Sequence, residues 1–355
     1  MLSFLAFTSK VRKLRIEGFL RENFNLSTLF LFIFFIIFIG FRYNVGGDWI
    51  NYLNLYFEAK DETISFSLIG DPAYAFINWA SHKMGIGFHG ANVLCAIIFM
   101  YGLLKFCRYL PRPYIALLVA FPYLINIVGM GYQRQSVAIG LSMLAIIKLF
   151  KQENLKFFLL VILAATFHKS AILFFPLLIF TTSKNRILIT FAAVFCLVAG
   201  YFIFVEARFS HFIENYITAQ QASTGAMIRV LMLVVPSMLF LIFRNRFMIR
   251  DTERRLWTIF AIATFPLLFA LIFMNISTTV DRFALYILPI QLFVFSSLTD
   301  LFKSSTKPLI NVLIIIYSAA VLFVWAYFGT HSNHWIPYDN AIIRFISGDH
   351  TYFGS

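Results

Sequence analysis

Charge is scarce in this chain. Only 13% of its 355 residues are Asp, Glu, Lys or Arg, about half the share usual in soluble domains, while 60% are hydrophobic. A water-soluble fold is excluded, and an integral membrane protein with several spans is implied. Cysteine is scarce too: Cys95, Cys107 and Cys196 make an odd set, all within apolar runs. That excludes a disulfide framework and a thiolate metal site. A P-loop, zinc-type ligand spacing, a G-x-S-x-G elbow and a di-acid with metal-ligand spacing are all missing. The expectation is chemistry with no cofactor and no metal. No internal repeat or low-complexity linker divides the chain, so it reads as one membrane domain.

The charge that is present is lopsided, at +13 net. In a soluble protein this would suggest nucleic acid; in a membrane protein it reads first as the positive-inside rule, and no nucleic-acid partner is expected. Residues 1–26 carry five Lys and Arg and form a basic cytoplasmic tail, either a topology signal or a segment lying on anionic lipid. The first apolar run lacks a small-residue cleavage site and ends in Arg42-Tyr43, so it is expected to be span one rather than a cleaved signal. Spans are expected at about 27–41, 91–107, 113–128, 134–150, 187–205, 227–243, 256–275, 283–301 and 308–329. Residues 72–85 have apolar residues at helical spacing and read as an interfacial amphipathic helix.

Residues 157–182 are the exception. They form one apolar run broken by His168-Lys169. A single span would put that Lys near mid-bilayer, at a cost of roughly 2.5–3.5 kcal/mol, and would leave Lys184 and Arg186 outside. A re-entrant hairpin with His168-Lys169 at its outer tip satisfies both constraints. The fold class is thus an all-α polytopic membrane protein with about nine transmembrane helices plus a re-entrant hairpin. Its N-terminus is inside, its transmembrane catalytic domain covers 27–329, and its external C-terminal tail covers 330–355. This topology puts twenty of the 29 Lys and Arg inside.

The remaining cations carry the functional signal, because the positive-inside rule disfavours them. Arg42 ends span one, Arg134 begins span four, Lys169 tips the hairpin, and Arg229 and Arg282 begin later spans. Guanidinium groups at that level suit a phosphate, which they bind bidentately, and they can stabilise a leaving diphosphate. Each alone could equally be a snorkelling side chain or half of an ion pair. The stretch FRYNVGGDWINY (41–52) adds Asp48, Tyr52 and the pair Gly46-Gly47, either a plain turn or a close backbone approach to phosphate. Trp49, Tyr52, Trp79 and Trp335 are an interfacial belt or sugar-stacking platforms.

At these residues the sequence resembles the EpsG family, a branch of the Wzy-type polymerases of O-antigen and exopolysaccharide. FRYNVGGDWINY is similar to its R-x-x-x-G-x-D-x-x-x-Y signature, GYQRQSVA (131–138) to its R-Q-x-x-A segment, FHKSA (167–171) to F-H-x-S-A, and HWIPY (334–338) to W-x-P-Y. The resemblance implies a glycosyltransferase-C-like membrane fold in the bacterial inner membrane, with the C-terminus periplasmic. It implies that a growing chain passes from one undecaprenyl diphosphate to an oligosaccharide repeat on another. Those lipid-linked oligosaccharides and membrane lipid are the implied partners, with a chain-length regulator as a further candidate. Carried over by motif, Asp48 and His168 are the candidate catalytic residues, and Arg42, Arg134 and Lys169 would bind diphosphate; Arg282 joins them by charge placement. Tyr52, Gln133, Gln135, Arg229, Trp335 and Tyr338 are the candidate substrate-binding residues. The alternatives are a flippase for lipid-linked oligosaccharide and a membrane O-acyltransferase with His168 as base.

Overall fold

The computed structural model describes residues 25–59, 71–182, 225–273 and 277–348, with single positions between 187 and 198. The described residues are helical, with no strand; Arg42 and Asn340 form an isolated β-bridge. The helices are α1 (Leu26–Gly40), α2 (Trp49–Glu58), α3 (Pro72–Lys83), α4 (Gly87–Tyr109), α5 (Pro113–Gly131), α6 (Gln133–Phe150), α7 (Asn154–Phe167), α8 (Phe175–Thr182), α9 (Ala226–Phe243), α10 (Asp251–Phe273), α11 (Ser277–Ile287), α12 (Pro289–Leu298), α13 (Lys307–Phe328) and α14 (Ala341–Ile346).

Six helical segments among the described residues are long and apolar enough to cross a membrane: α4, α5, α9, α10, the nearly continuous Val280–Leu301 and Ser304–Phe328. The chain is therefore a multi-pass helical membrane protein. Nine spans were expected, and the difference has physical causes. Helix α1 has only 15 residues, about 22 Å, against a hydrocarbon core of about 30 Å. Helix α6 has 18 residues but carries Gln133, Arg134, Gln135, Ser136, Ser142 and Lys148, and nearly all of it is buried inside the protein. The expected span 187–205 lies outside the continuously described residues.

Helix α6 is the centre of the bundle. Helix α4 crosses it where Gly102 meets Gly140; a Cβ on Gly102 would stand 2.2 Å from the Gly140 carbonyl oxygen. Small residues at such crossings let two backbones touch without hydrophobic assistance from water. On its other side α6 packs against α7.

The broken apolar run folds as the expected hairpin. Helix α7 ends at His168, a 3₁₀ segment follows over Lys169–Phe174, and α8 returns. Phe158 on the outgoing limb meets Phe175 on the returning limb, ring centroids 5.0 Å apart. The stretched 3₁₀ turn makes the return limb about 24 Å long against about 21 Å for α7, so both limbs end at one level. There Gln152 donates to Thr252 and Arg255 donates to the Thr181 carbonyl, both at the first turn of α10.

That level is a basic end of the bundle. Arg112 grips Asp300 with two bonds of 2.7 and 2.8 Å, tying the start of α5 to the end of α12. Tyr109 donates to Glu253 at 2.6 Å and Arg250 pairs with the same carboxylate at 2.8 Å. Lys148 and Lys156 pair with Glu153. The polar stretches singled out in the sequence lie at the opposite end.

Candidate functional site

The site end is built on a strap. After α13 the chain turns back and lies against the end of α1. Gly46 donates to the His334 carbonyl, Tyr43 to Asp339 and Ala341 to Phe41, at 2.8–3.1 Å. The Tyr338 hydroxyl donates to the Phe38 carbonyl at 2.7 Å and its ring stacks on Phe38. The Trp335 indole N–H reaches the Asn126 carbonyl at 3.0 Å, in a π-helical part of α5. The Trp335 ring covers Gly131 so closely that a Cβ there would stand 2.5 Å from it. Gly46 has φ +107° and lies on the Met130 carbonyl, a position only glycine takes without strain. Motifs nearly 300 residues apart in sequence are thus one physical object.

Arg42 is the bolt through it. Its side chain is fully buried. Nη1 donates to the Ile39 carbonyl at 2.8 Å, Nε to the Val45 carbonyl at 3.2 Å and Nη2 to the Gln133 side-chain oxygen at 3.3 Å. The end of α1, where carbonyls carry the negative pole of the helix, is a natural seat for this cation. Arg42 was expected as an open diphosphate ligand; it stands instead behind the polar surface, joining α1 to α6. Gln133, Trp335 and Tyr338, expected to touch substrate, are likewise engaged in this scaffold. Gln135 is buried and donates to the Arg282 carbonyl at 2.9 Å, so it fixes α11 rather than facing a ligand. Arg229 is paired with Asp281 in a mostly buried ion pair between α9 and α11.

The other candidates converge in front of the strap. Arg134, at the start of α6, donates to Asp71 at 2.6 Å and lies over the Tyr52 ring, 5.9 Å from its centroid. The Arg134 side chain stays 39% exposed, so it is not sealed off as Arg42 is. Arg282 is exposed, and its guanidinium has no hydrogen bond or ion pair among the described residues. The positive charges of both arginines act on Asp48, Asp71 and His168. Lys169 acts on Asp71 as well. His168, in the break between the hairpin limbs, has Nδ1 3.4 Å from the Tyr286 hydroxyl.

Two carboxylates therefore stand among three cations. Burial pushes the Asp48 carboxyl above its ordinary range, opposed by Asn51, Arg134 and Arg282. Burial likewise raises Asp71, opposed chiefly by Arg134. The Tyr52 phenol is pushed up to about 12 by burial and by Asp48, so at neutral pH it is a donor. Burial and the fields of Arg282 and Arg134 hold the His168 imidazole neutral, well below its ordinary value. No three His, Cys, Asp or Glu side chains among the described residues lie together as a metal site requires.

Asp71 and Tyr286 were not among the sequence candidates. Asp71 precedes Pro72 at the start of α3, where an Asp usually caps the helix. It makes no side-chain cap; its oxygen turns to Arg134 instead. An Asp immediately before the Pro that starts α3 was the available signal.

Fold and site together define a multi-pass helical membrane protein with carboxylates and guanidiniums gathered at one end and a basic rim at the other. The family comparison narrows this class: the chain belongs to the EpsG family, whose model matches residues 25–340. Membership associates it with glycosyl transfer in polysaccharide biosynthesis. No curated protein and no solved structure matches it.

Proposed function

We propose that this protein is a polysaccharide polymerase that joins oligosaccharide repeats carried on a polyprenyl diphosphate. The observation that carries the reading is the meeting of Arg134, Arg282 and Lys169 with Asp48 and His168 at the end of the bundle opposite the basic rim. By the positive-inside rule the basic rim reads as cytoplasmic, which supports a reaction on the periplasmic face of the inner membrane.

Arg134 and Arg282 hold the donor diphosphate, with Lys169 as a third cation. Asp71 positions Arg134 from behind. A hydroxyl of the acceptor repeat attacks the anomeric carbon; the new glycosidic C–O bond forms as the bond from that carbon to the diphosphate oxygen breaks. The lipid diphosphate leaves with the bonding electrons, its growing charge met by the guanidiniums. The hydroxyl proton goes to a base. Asp48 suits this better than His168: its basicity is raised towards working pH, while that of His168 is lowered away from it. His168 then serves as a neutral hydrogen-bonding partner to the sugar. In-line displacement inverts the linkage.

Purified protein given lipid-linked repeats tests the reading. Wild type should lengthen the lipid-anchored glycan, and Arg134→Ala should insert and melt normally without doing so. Absence of any longer product from wild type would overturn the polymerase reading, as would an acylated product.

A further inference from the structure

Helix α11 carries Arg282 and, one turn further on, Tyr286, so both lie on one face. Arg282 is exposed, whereas Tyr286 is buried. The Tyr286 ring stands edge-on to Phe174, the last residue of the 3₁₀ segment, with centroids 5.7 Å apart. Phe174 stands edge-on in turn to Phe260 of α10, at 6.1 Å. These rings hold the phenol in place. Its hydroxyl lies 3.4 Å from His168 Nδ1 and has no other hydrogen-bond partner among the described residues. His168 is held by its backbone as well. Its N–H donates to the Ala164 carbonyl and its own carbonyl accepts from Ala171, both at 3.0 Å. The His168 side chain is only half-buried, so the ring keeps an open side.

The contact has two chemical forms. A neutral imidazole carries one proton, on Nδ1 or on Nε2. With the proton on Nδ1, that N–H donates to the phenol oxygen. The phenol hydrogen is then left among aromatic rings with no acceptor, and a buried hydrogen bond goes unmade. With the proton on Nε2, the phenol donates to the Nδ1 lone pair and no buried donor is stranded. Asp71 acts on the phenol through its charge, but the hydrogen bond of that carboxylate goes to Arg134. At 3.4 Å the bond is longer than the roughly 2.8 Å of a strong hydroxyl bond, and catalytic contacts of this kind tighten when substrate binds. Geometry therefore favours the second form.

We infer that Tyr286 is a positioning residue: its hydroxyl donates to His168 Nδ1 and holds the imidazole in the Nε2–H form, which gives a hydrogen bond to the bound sugar and does not take the proton of the attacking hydroxyl. The inference rests on the polymerase reading and adds to it the residue that sets the role of His168.

The test uses the full chain in nanodiscs, without substrate, with its histidines labelled in carbon and nitrogen for magnetic resonance. The difference from the spectrum of His168→Gln isolates the His168 ring. At neutral pH the protonated nitrogen should be the one bonded to Cδ2, which is Nε2. Tyr286→Phe keeps the ring against Phe174 and removes only the hydroxyl. It should melt with wild type and raise the Nδ1–H share about tenfold, equivalent to about 1.4 kcal/mol of preference. A proton on Nδ1 in wild type, or a tautomer balance unmoved by Tyr286→Phe, would overturn the inference; should that variant misfold, the wild-type spectrum decides alone. Lengthening assays give a second readout. A Gln side chain offers an N–H close to the place of Nε2 but is no base. His168→Gln should therefore stay within about tenfold of wild type, whereas loss of a general base costs about a hundredfold or more. A loss that large, equal to that of His168→Ala, would also overturn the inference. Wild type that shows the Nε2–H form yet lengthens no glycan would refute the polymerase and confirm the Tyr286 contact.

Discussion

Replacing Arg42 separates a bolt from a ligand. Arg42→Met removes three hydrogen bonds and leaves the carbonyls of Ile39 and Val45 and the side-chain oxygen of Gln133 without their donor. Each buried acceptor left unpaired costs about 1–3 kcal/mol, and relaxation recovers part, so the loss should be about 3–5 kcal/mol. Arg42→Lys should recover little of it. A single ammonium cannot reach acceptors spread around a planar guanidinium, although it keeps the charge. For a chain of this size, at roughly 2 °C per kcal/mol, the melting temperature should fall by roughly 6–10 °C in both variants. Tryptophan fluorescence in detergent reads this directly, because the guanidinium lies 5.6 Å from the Trp49 ring centroid and Trp335 sits on the neighbouring loop. A lengthening assay on the same samples should show activity falling in step with folded fraction. If both variants melted with wild-type protein while losing activity outright, Arg42 would be a substrate ligand and the placement of its side chain would be refuted.

Three other outcomes follow from the geometry. Asp48→Asn should abolish lengthening. Because the folded carboxyl is raised, its stabilising contribution is complete below the unfolded value and lost as pH rises through the folded one. The variant should therefore melt higher than wild type at pH 7, and in wild type activity should fall as pH drops through a value above the ordinary Asp of about 3.9. A melting temperature lowered by this variant would contradict the burial argument. Asp71→Asn should change stability by under about 1 kcal/mol, since Arg134 is substantially exposed, yet cut kcat about tenfold or more by releasing that guanidinium. Unchanged kcat would remove Asp71 from the site. Gly102→Ala forces a methyl into the Gly140 backbone and should cost about 1–3 kcal/mol, visible as a lower melting temperature and reduced insertion. Wild-type melting would mean that α4 and α6 do not cross there.

Much of this architecture was legible in the sequence because charge and hydropathy act over short ranges. The hairpin followed from a Lys that could not sit at mid-bilayer and two cations that had to lie inside; the limbs, the break at His168 and the shared basic end follow that logic. The site end was legible for the same reason, through cations placed against the positive-inside rule. What could not be read was which cations face outward. Arg42 and Arg134 look alike in sequence, each at the end of an apolar run. One is swallowed by carbonyls at the end of α1, and the other is held open by Asp71, which comes 63 residues earlier in the chain. Trp335 and Tyr338 were expected to bind substrate, but aromatic residues at a membrane surface serve equally as anchors, and here both pack into the strap. Their seats, on Gly131 and Phe38, depend on contacts across the whole chain. Among the described residues fewer than nine spans are found, for a third reason. Helix α6 is surrounded by protein, so it carries polar residues that lipid would not admit.

The account depends on Arg134 and Arg282 sharing one anionic ligand. The most direct measurement is an experimental structure of the protein with undecaprenyl diphosphate bound in nanodiscs. The account predicts diphosphate density within hydrogen-bonding distance of both guanidiniums, beside Asp48 and His168. Diphosphate bound instead near Arg250 and Arg255 at the basic rim, with the Arg134 end empty, would contradict it.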